Sequence, residues 1–272
     1  MLNIIKGILI AISTIVPGVS GGTMMIILGV YDKSIEALSA LTSFKFIHRK
    51  MVIQLAIGVV LGLLLFSSAM LWLIGEFPYV MSFLFLGIVI FGLGAIVKRV
   101  KWDMFRPYHI LFLIGGIFIG LVMTTGESSA LFEFSGSPIK KLIMILIAGI
   151  IIAVALILPG ISTSFLLLAL GLYEDTLVAI KSLDLGFIIP LGIGVLAGAL
   201  LTTKLLEYCM KEHPTPTYLM IIGFILGSIG EIYPGWPEST SGIIASILAF
   251  IGGTLIMYLL QVIMRKYPEY ED

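Results

Sequence analysis

Charged side chains are scarce in this sequence. They make up 12% of its 272 residues, about half the share found in a typical soluble domain. The 16 acidic residues balance the 16 basic ones, so the formal net charge is zero. A chain without excess positive charge lacks the electrostatic attraction that draws nucleic acid, and we expect no nucleic-acid partner. No stretch is polar enough to form a separate soluble domain.

Cysteine and histidine are also few. Cys209 is the single cysteine, so the chain cannot form an internal disulfide. The three histidines, His48, His109 and His213, have no zinc-type spacing with it. We therefore expect no metal site and no cofactor.

Long apolar runs dominate the sequence. Hydrophobic residues make up 59% of the chain, and the mean hydropathy is +1.16. Runs of this length cross the hydrocarbon core of a bilayer as helices. We predict an all-α polytopic membrane protein that forms one membrane domain over 1–272. The predicted transmembrane helices are 51–75, 79–97, 108–125, 188–207, 217–233 and 242–264.

The sequence repeats itself. A shift of 142 positions aligns 7–31 with 149–173 without a gap, and 11 of those 25 positions are identical. They include Pro-Gly-x-Ser and Leu-Gly-x-Tyr in register, which two unrelated apolar segments would not share. A shift near 136 continues the match. We predict two repeats, 1–135 and 140–272, with a seam near 135–140. Internal repeats are typical of secondary transporters.

Each repeat contains a Pro-Gly in the middle of an apolar run. Pro17 removes a backbone donor and Gly18 removes steric restraint, so a helix stops there. About ten residues flank the break on each side, or about 15 Å, which is half the hydrocarbon core. One interpretation is a kinked helix that spans the membrane over 7–29. The other is a re-entrant hairpin over 7–29 and again over 149–171, which dips to mid-membrane and returns.

The distribution of basic residues favours the hairpins. Two hairpins leave three transmembrane helices in each half, and this odd number inverts the second repeat. Twelve of the 16 basic residues then lie on one side and three on the other, as the positive-inside rule requires. The kinked helix weakens this bias. We expect two inverted repeats, each a re-entrant hairpin plus three transmembrane helices, with both termini cytoplasmic. The cytoplasmic segments would be 1–6, 43–50, 98–107, 204–213 and 264–272.

The two turns are candidate sites for an anion. At each turn a second helical arm begins, with unpaired N–H groups and the positive end of its dipole facing inward. Such a place suits a phosphate group. In the alternative, Ser20 and Ser162 only cap their own helices. The candidate substrate-binding residues are Pro17, Gly18, Ser20, Gly21, Gly22 and Thr23 in the first turn, and Pro159, Gly160, Ser162, Thr163 and Ser164 in the second.

Three charged residues lie near the predicted path. Lys204 falls inside an apolar span, where it would pair with the phosphate or else extend to the interface beside Glu207. Asp32 and Glu174 follow the matching Leu-Gly-x-Tyr motifs. A desolvated carboxylate there would take up a proton and couple transport to a proton gradient. The alternative is a plain interfacial charge.

The motifs "VPGVSGGT…LGVYD" and "LPGISTSF…LGLYE" resemble the PopT-like polyprenyl-phosphate transporters, long catalogued as domain of unknown function 368. The resemblance covers essentially the whole chain. It implies a bacterial cytoplasmic-membrane protein that recycles undecaprenyl phosphate from the outer to the inner leaflet for cell-wall peptidoglycan synthesis. Its partners would be this polyprenyl-phosphate lipid and the surrounding membrane lipids. The second copy has Ser-Thr-Ser-Phe where the first has Ser-Gly-Gly-Thr.

Two competing functions fit the same turns. A membrane polyprenyl-pyrophosphate phosphatase needs a nucleophile with a base and a cation beside it, and sequence neighbours supply no such set next to Ser20 or Ser162. A distant residue could still fold in. A small-anion permease would use the same anion site. We expect a transporter, not an enzyme, and the sequence leaves open whether the protein forms a homo-oligomer.

Overall fold

The computed structural model describes residues 2–15, 19–125, 137–161, 163, 166–167 and 170–266. The seam predicted near 135–140 lies in part outside these residues. Where the chain is described it is helical and contains no strand, which confirms the predicted all-α class. The helices with described bounds are α1 (Leu2–Ile15), α2 (Gly21–Ile27), α3 (Tyr31–Leu41), α4 (Arg49–Glu76), α5 (Pro78–Val97), α6 (Ile110–Thr125), α7 (Pro138–Ile157), α8 (Tyr173–Ser182), α9 (Leu185–Glu212), α10 (Pro214–Ile232) and α11 (Thr240–Lys266).

Six of the described helices, α4, α5, α7, α9, α10 and α11, are long and apolar enough to cross a membrane. The protein is therefore a multi-pass membrane protein. Five of the six match predicted transmembrane helices. The predicted helix 108–125 corresponds to α6, which has 16 residues and a length of about 24 Å. It is shorter than the roughly 30 Å core and is not among the six.

Helix α7 differs from the sequence prediction. A half-depth arm was expected to begin at Gly149, but α7 begins at Pro138 and has 20 residues. The reason is a helix start signal: Ser137 caps the helix by accepting a hydrogen bond from the Lys140 N–H, and Pro138 occupies the first helical position. The basic pair Lys140–Lys141 therefore lies on a helix and not in a loop.

Glycines allow α1 and α4 to pack backbone to backbone. A Cβ atom on Gly7 would lie 2.8 Å from the Cα atom of Gly58, so only glycine permits this approach, as at many membrane helix crossings. Further along both helices Ala11 contacts Gly62. At their starts, the Asn3 side chain donates a hydrogen bond of 3.0 Å to Gln54. The contacts advance together, so α1 and α4 run parallel and begin at the same end of the molecule.

The same arrangement occurs in the second half. A Cβ atom on Gly149 would lie 2.9 Å from the Cα atom of Gly194, and Ala153 contacts Gly198. Helices α7 and α9 therefore also run parallel. Helices α4 and α9 each have 28 residues, and each is followed by a residue with φ −129° and ψ 57° before a proline. Matching residues are 142 positions apart in α1 and α7 and 136 positions apart in α4 and α9, the same two shifts that align the sequence with itself.

The remaining long helices pair across the two halves. Helix α6 packs on α10, where a Cβ atom on Gly120 would lie 2.8 Å from the Cα atom of Gly227. Helix α5 packs on α11 through close contacts of Gly87 and Gly253. Each half therefore contributes one helix to each of these two pairs, and the two halves interlock.

The loops predicted to be cytoplasmic meet at one end of the bundle. The Thr215 hydroxyl donates to the Lys101 carbonyl at 3.0 Å. The Glu36 carboxylate contacts both His48, at 3.2 Å, and Lys211, at 3.3 Å. We call this the basic end; it carries the segments 43–50, 98–107 and 204–213. Helix α4 begins there and α9 ends there, so these two helices run in opposite directions.

Candidate functional site

The two Pro-Gly segments contact each other inside the protein. A Cβ atom on Gly22 would lie 3.4 Å from the Cα atom of Pro159. Val19 and Thr23 are buried, and so are Pro159 and Gly160. Each turn was expected at mid-membrane, and the described residues of the two turns lie against each other.

Ser20 begins α2 without capping it through its side chain. Its backbone is extended, with φ −73° and ψ 135°, and its hydroxyl makes no capping hydrogen bond. The Ser20 carbonyl accepts a hydrogen bond of 3.2 Å from Met24. In this conformation the Ser20 hydroxyl therefore does not cap α2, contrary to the alternative in which capping is its only role. Helix α2 has seven residues, so its macrodipole is small, and Gly21 and Gly22 contribute mainly first-turn N–H groups, which have no partner within the helix.

Tyr31 joins the first segment to the second. Its hydroxyl donates a hydrogen bond of 2.7 Å to the Ile157 carbonyl, at the end of α7. That carbonyl has no helical partner because α7 stops there. Tyr31 is almost completely buried, with 1% of its surface exposed. Tyr31 aligns with Tyr173 in the repeated Leu-Gly-x-Tyr, the signal that marks it in the sequence, but no function was predicted for it.

The second turn has a backbone that requires glycine. Gly160 has φ +79°, and a Cβ atom there would lie 2.7 Å from the Ile225 nitrogen of α10. Thr163 is partly exposed. The other candidates in the turns, Pro17, Gly18, Ser162 and Ser164, lie outside the described residues.

Lys204 is exposed on α9, near Leu201 and Leu205, which are 65% and 64% exposed. Glu207, the neighbour expected for Lys204 at the interface, instead accepts a hydrogen bond of 2.6 Å from Lys211. In this conformation Lys204 faces the outside of the bundle, and its role stays a prediction.

Asp32 forms an ion pair with Arg99, which follows α5. The other carboxylate oxygen of Asp32 is buried and has no hydrogen-bond partner among the described residues. Arg99 also lies close to the Tyr218 hydroxyl of α10. Arg99 was expected in a cytoplasmic loop, and no spacing in the sequence links it to Asp32. The side chain of Glu174, the second predicted proton-coupling residue, lies outside the described part of the structure.

The basic end holds a second charged group that links the two halves. Glu36 of α3 contacts His48 and Lys211, and Lys211 also contacts Glu207. The hydrogen bond from His48 holds the pKa of the Glu36 carboxyl below its ordinary value, and Lys211 acts in the same direction. Within the described ranges, no three His, Cys, Asp or Glu side chains are grouped closely enough to hold a metal ion.

Comparison with known proteins gives consistent names. A family model described as VCA0040-like, undecaprenyl phosphate translocase-like, matches residues 10–251. A polyprenyl-phosphate transporter of Staphylococcus aureus is 32% identical over 266 residues, covering 94% of each chain. A polyprenyl-phosphate transporter of Vibrio cholerae is 26% identical over 257 residues, covering 87% of this chain and 78% of the relative. No solved structure matches the chain. These are names of transporters, in agreement with the prediction that the chain is not an enzyme.

Proposed function

Because this chain belongs to the undecaprenyl phosphate translocase-like family, we propose that it moves undecaprenyl phosphate from the outer to the inner leaflet of the bacterial cytoplasmic membrane. The recycled lipid would then serve cell-envelope synthesis. The observation that carries this proposal is the buried contact between the two Pro-Gly segments, at Gly22 and Pro159. Two segments that carry glycine and hydroxyl side chains and meet inside an apolar protein are a suitable place for a charged headgroup.

The architecture in this proposal is two inverted repeats, each with a re-entrant hairpin. Helices α1 and α4 begin at the same end, so the chain between them has to return to that end. Helices α7 and α9 impose the same condition on the second half. Since α4 and α9 run in opposite directions, the second return would occur from the opposite side. The basic end would face the cytoplasm, together with both termini.

The phosphate would bind between the two turns. The hydroxyl of Ser20 is not used as a cap, and Gly21, Gly22 and Thr23 follow it; Pro159 to Ser164 would face it from the second turn. An anion there needs hydrogen bonds to replace its water.

The pair of Asp32 and Arg99 supports a proton-coupled mechanism. While Asp32 is ionised it holds Arg99. Protonation of Asp32 would release the guanidinium, which would then pair with the arriving phosphate in a bidentate geometry. The unpartnered, buried oxygen of Asp32 is a place for that proton. In this mechanism Arg99 draws the headgroup toward the basic end.

The direct test is reconstitution of the full-length protein in liposomes with a leaflet-sensitive assay for undecaprenyl phosphate, with and without a pH gradient. Ser20→Ala should slow transport roughly tenfold or more, since a hydrogen bond to a charged group contributes about 1.5–3 kcal/mol. Ser43→Ala, on an exposed loop, is the matched control. Equal rates for the two variants would contradict the proposed phosphate site.

The same preparation separates the competing functions. A transporter should leave undecaprenyl pyrophosphate intact, whereas a phosphatase would release inorganic phosphate from it. A small-anion permease would conduct phosphate or chloride across the liposome membrane. Phosphate release or anion conductance that Ser20→Ala abolishes, without lipid transport, would overturn the proposed function.

A further inference from the structure

A cleft of about 560 Å³ separates two of the tightly packed helix pairs. The pair α6–α10 forms one wall, and the pair α7–α9 forms the other. This volume falls in the range of roughly 300–1,000 Å³ that small-molecule sites occupy. The side chains in its middle, such as Val154, Leu206 and Ile221, are apolar. Of the residues proposed above to bind phosphate, none of those that the structure describes lines the cleft.

The inner end of the cleft adjoins the second turn. Leu158 lines the cleft and directly precedes Pro159. Phe224 lines it from α10, and the backbone at Phe224 and Ile225 lies against Gly160. A chain lying in the cleft would therefore end beside the turn.

The outer end of the cleft is polar and lies at the basic end. His109 and His213 line the cleft there. Both also line an adjoining cavity of about 450 Å³, where Arg106 is a third nitrogen donor and Asp103 and Glu212 are carboxylates. The His109 Nδ1 atom accepts a hydrogen bond of 3.1 Å from the Arg106 N–H, so its Nε2 atom carries the proton and is the donor of that ring.

The cleft is open along its side. Three of its lining side chains are exposed at the outer surface of the bundle: Tyr108 is 52% exposed, Phe112 40% and Leu205 64%. A long apolar chain could therefore enter from the bilayer, without passing through water.

We propose that this cleft holds the first isoprene units of a polyprenyl phosphate, with the phosphate group in the polar cavity at the basic end. The rest of the prenyl chain leaves through the side opening into the bilayer. This inference rests on the proposed function and adds a second site to it, on the side where the lipid is released. The cavity lined by Arg106, His109 and His213 would receive the headgroup after it leaves the turns.

Shape, not hydrophobicity, would select this occupant. Lipid chains already lie in hydrocarbon, so moving one into the cleft gains no hydrophobic free energy. A single cleft between two helix pairs admits one chain, which fits a prenyl phosphate. A phospholipid has two acyl chains attached close to its phosphate group, and the second chain would have to leave the cleft at once.

Cys209 offers a test without any added label. It is the single cysteine, it lines the cleft, and it is partly exposed. The full-length protein in phosphatidylcholine nanodiscs is treated with N-ethylmaleimide, and modification is followed by mass spectrometry. Undecaprenyl phosphate at ten times its dissociation constant should slow the modification roughly tenfold, because only the unoccupied protein reacts. Inorganic phosphate or added phosphatidylglycerol should not slow it.

The outcomes distinguish this proposal from the proposed function. Ser20→Ala changes the turn and not the cleft, so Cys209 should stay protected by undecaprenyl phosphate even where transport is lost. Protection without any transport by the unaltered protein would overturn the proposed function and leave the cleft as a lipid site. Transport with no protection of Cys209, or equal protection by phosphatidylglycerol, would overturn the proposal that the cleft holds the prenyl chain.

A pair of variants gives a second measurement. Leu205 and Leu201 lie one turn apart on α9 and are almost equally exposed, at 64% and 65%, but only Leu205 lines the cleft. Leu205→Trp should fill the opening and raise the concentration of undecaprenyl phosphate needed for half-maximal transport. Leu201→Trp should leave that concentration unchanged. Equal effects of the two substitutions would refute the assignment of the cleft.

Discussion

Replacement of Gly160 by alanine tests the contact between the second turn and α10. Gly160 has φ +79°, and an added Cβ atom would lie 2.7 Å from the Ile225 nitrogen. Gly235 is a matched control, because its φ of +83° is nearly the same and an added Cβ atom there would meet nothing within 4 Å. Both substitutions strain the backbone, but only one creates a clash.

The two costs can be separated by magnitude. A left-handed conformation costs a residue other than glycine roughly 1–2 kcal/mol, and both variants bear this cost. Overpacking typically adds about 1–3 kcal/mol, and only Gly160→Ala bears it. The clash is with helix backbone, which cannot move aside as a flexible side chain would. We therefore expect Gly160→Ala to be destabilised by about 2–5 kcal/mol and Gly235→Ala by about 1–2 kcal/mol.

The measurement is thermal unfolding of the purified protein in detergent, followed by tryptophan fluorescence, alongside transport in liposomes. At roughly 2–4 °C per kcal/mol, Gly160→Ala should unfold about 2–12 °C below Gly235→Ala. It should also transport more slowly, because the clash would displace the second turn, where we propose that the phosphate binds. Equal unfolding temperatures for the two variants would refute the close approach of Gly160 to α10.

Three further predictions concern the contacts between the halves. Tyr31→Phe leaves the last carbonyl of α7 without its donor and should lower the unfolding free energy by about 1 kcal/mol, measured as a lower Tm. Asp32→Asn and Arg99→Leu should each abolish the response of transport to a pH gradient, and the double variant should be no worse than either, since the two residues act as one unit; additive losses would contradict this. The His48 hydrogen bond lowers the pKa of Glu36, so the contribution of this carboxylate to stability is complete above its ordinary pKa and is lost as the pH falls through the lowered value. Tm measured between pH 7 and pH 3 should therefore fall at the acid end, and less steeply in Glu36→Gln.

The all-α class and the positions of five long helices depended on local features and could be predicted. Apolar runs of about 20 residues form helices in lipid whatever they pack against, so α4, α5, α9, α10 and α11 lie close to their predicted positions. The start of α7 was predicted too late. The repeat alignment begins at Gly149 and placed the start of the helical arm there, although the Ser-Pro start signal at Ser137 and Pro138 is present in the sequence.

The candidate site was only partly predictable. The duplication of Pro-Gly indicated two similar turns at mid-membrane, and the structure places Gly22 of the first against Pro159 of the second. The hydrogen bond from Tyr31 to Ile157 and the pair of Arg99 with Asp32 were not predicted. Such partners lie far apart in the chain, and which side chains meet depends on how each helix is rotated about its axis.

The sequence by itself determined that the chain is an all-α membrane protein, that its halves are related, and that each half is interrupted at a Pro-Gly. These properties follow from hydropathy, backbone stereochemistry and internal identity, which need no knowledge of neighbours. Only the tertiary structure decided that α5 and α6 pair with helices of the other half, that Arg99 reaches Asp32, and that a cleft opens beside Cys209. The physical reason is that these features depend on helix crossings, where glycines let two backbones meet. The geometry of a crossing is set by residues of both helices, so neither segment of sequence determines it alone.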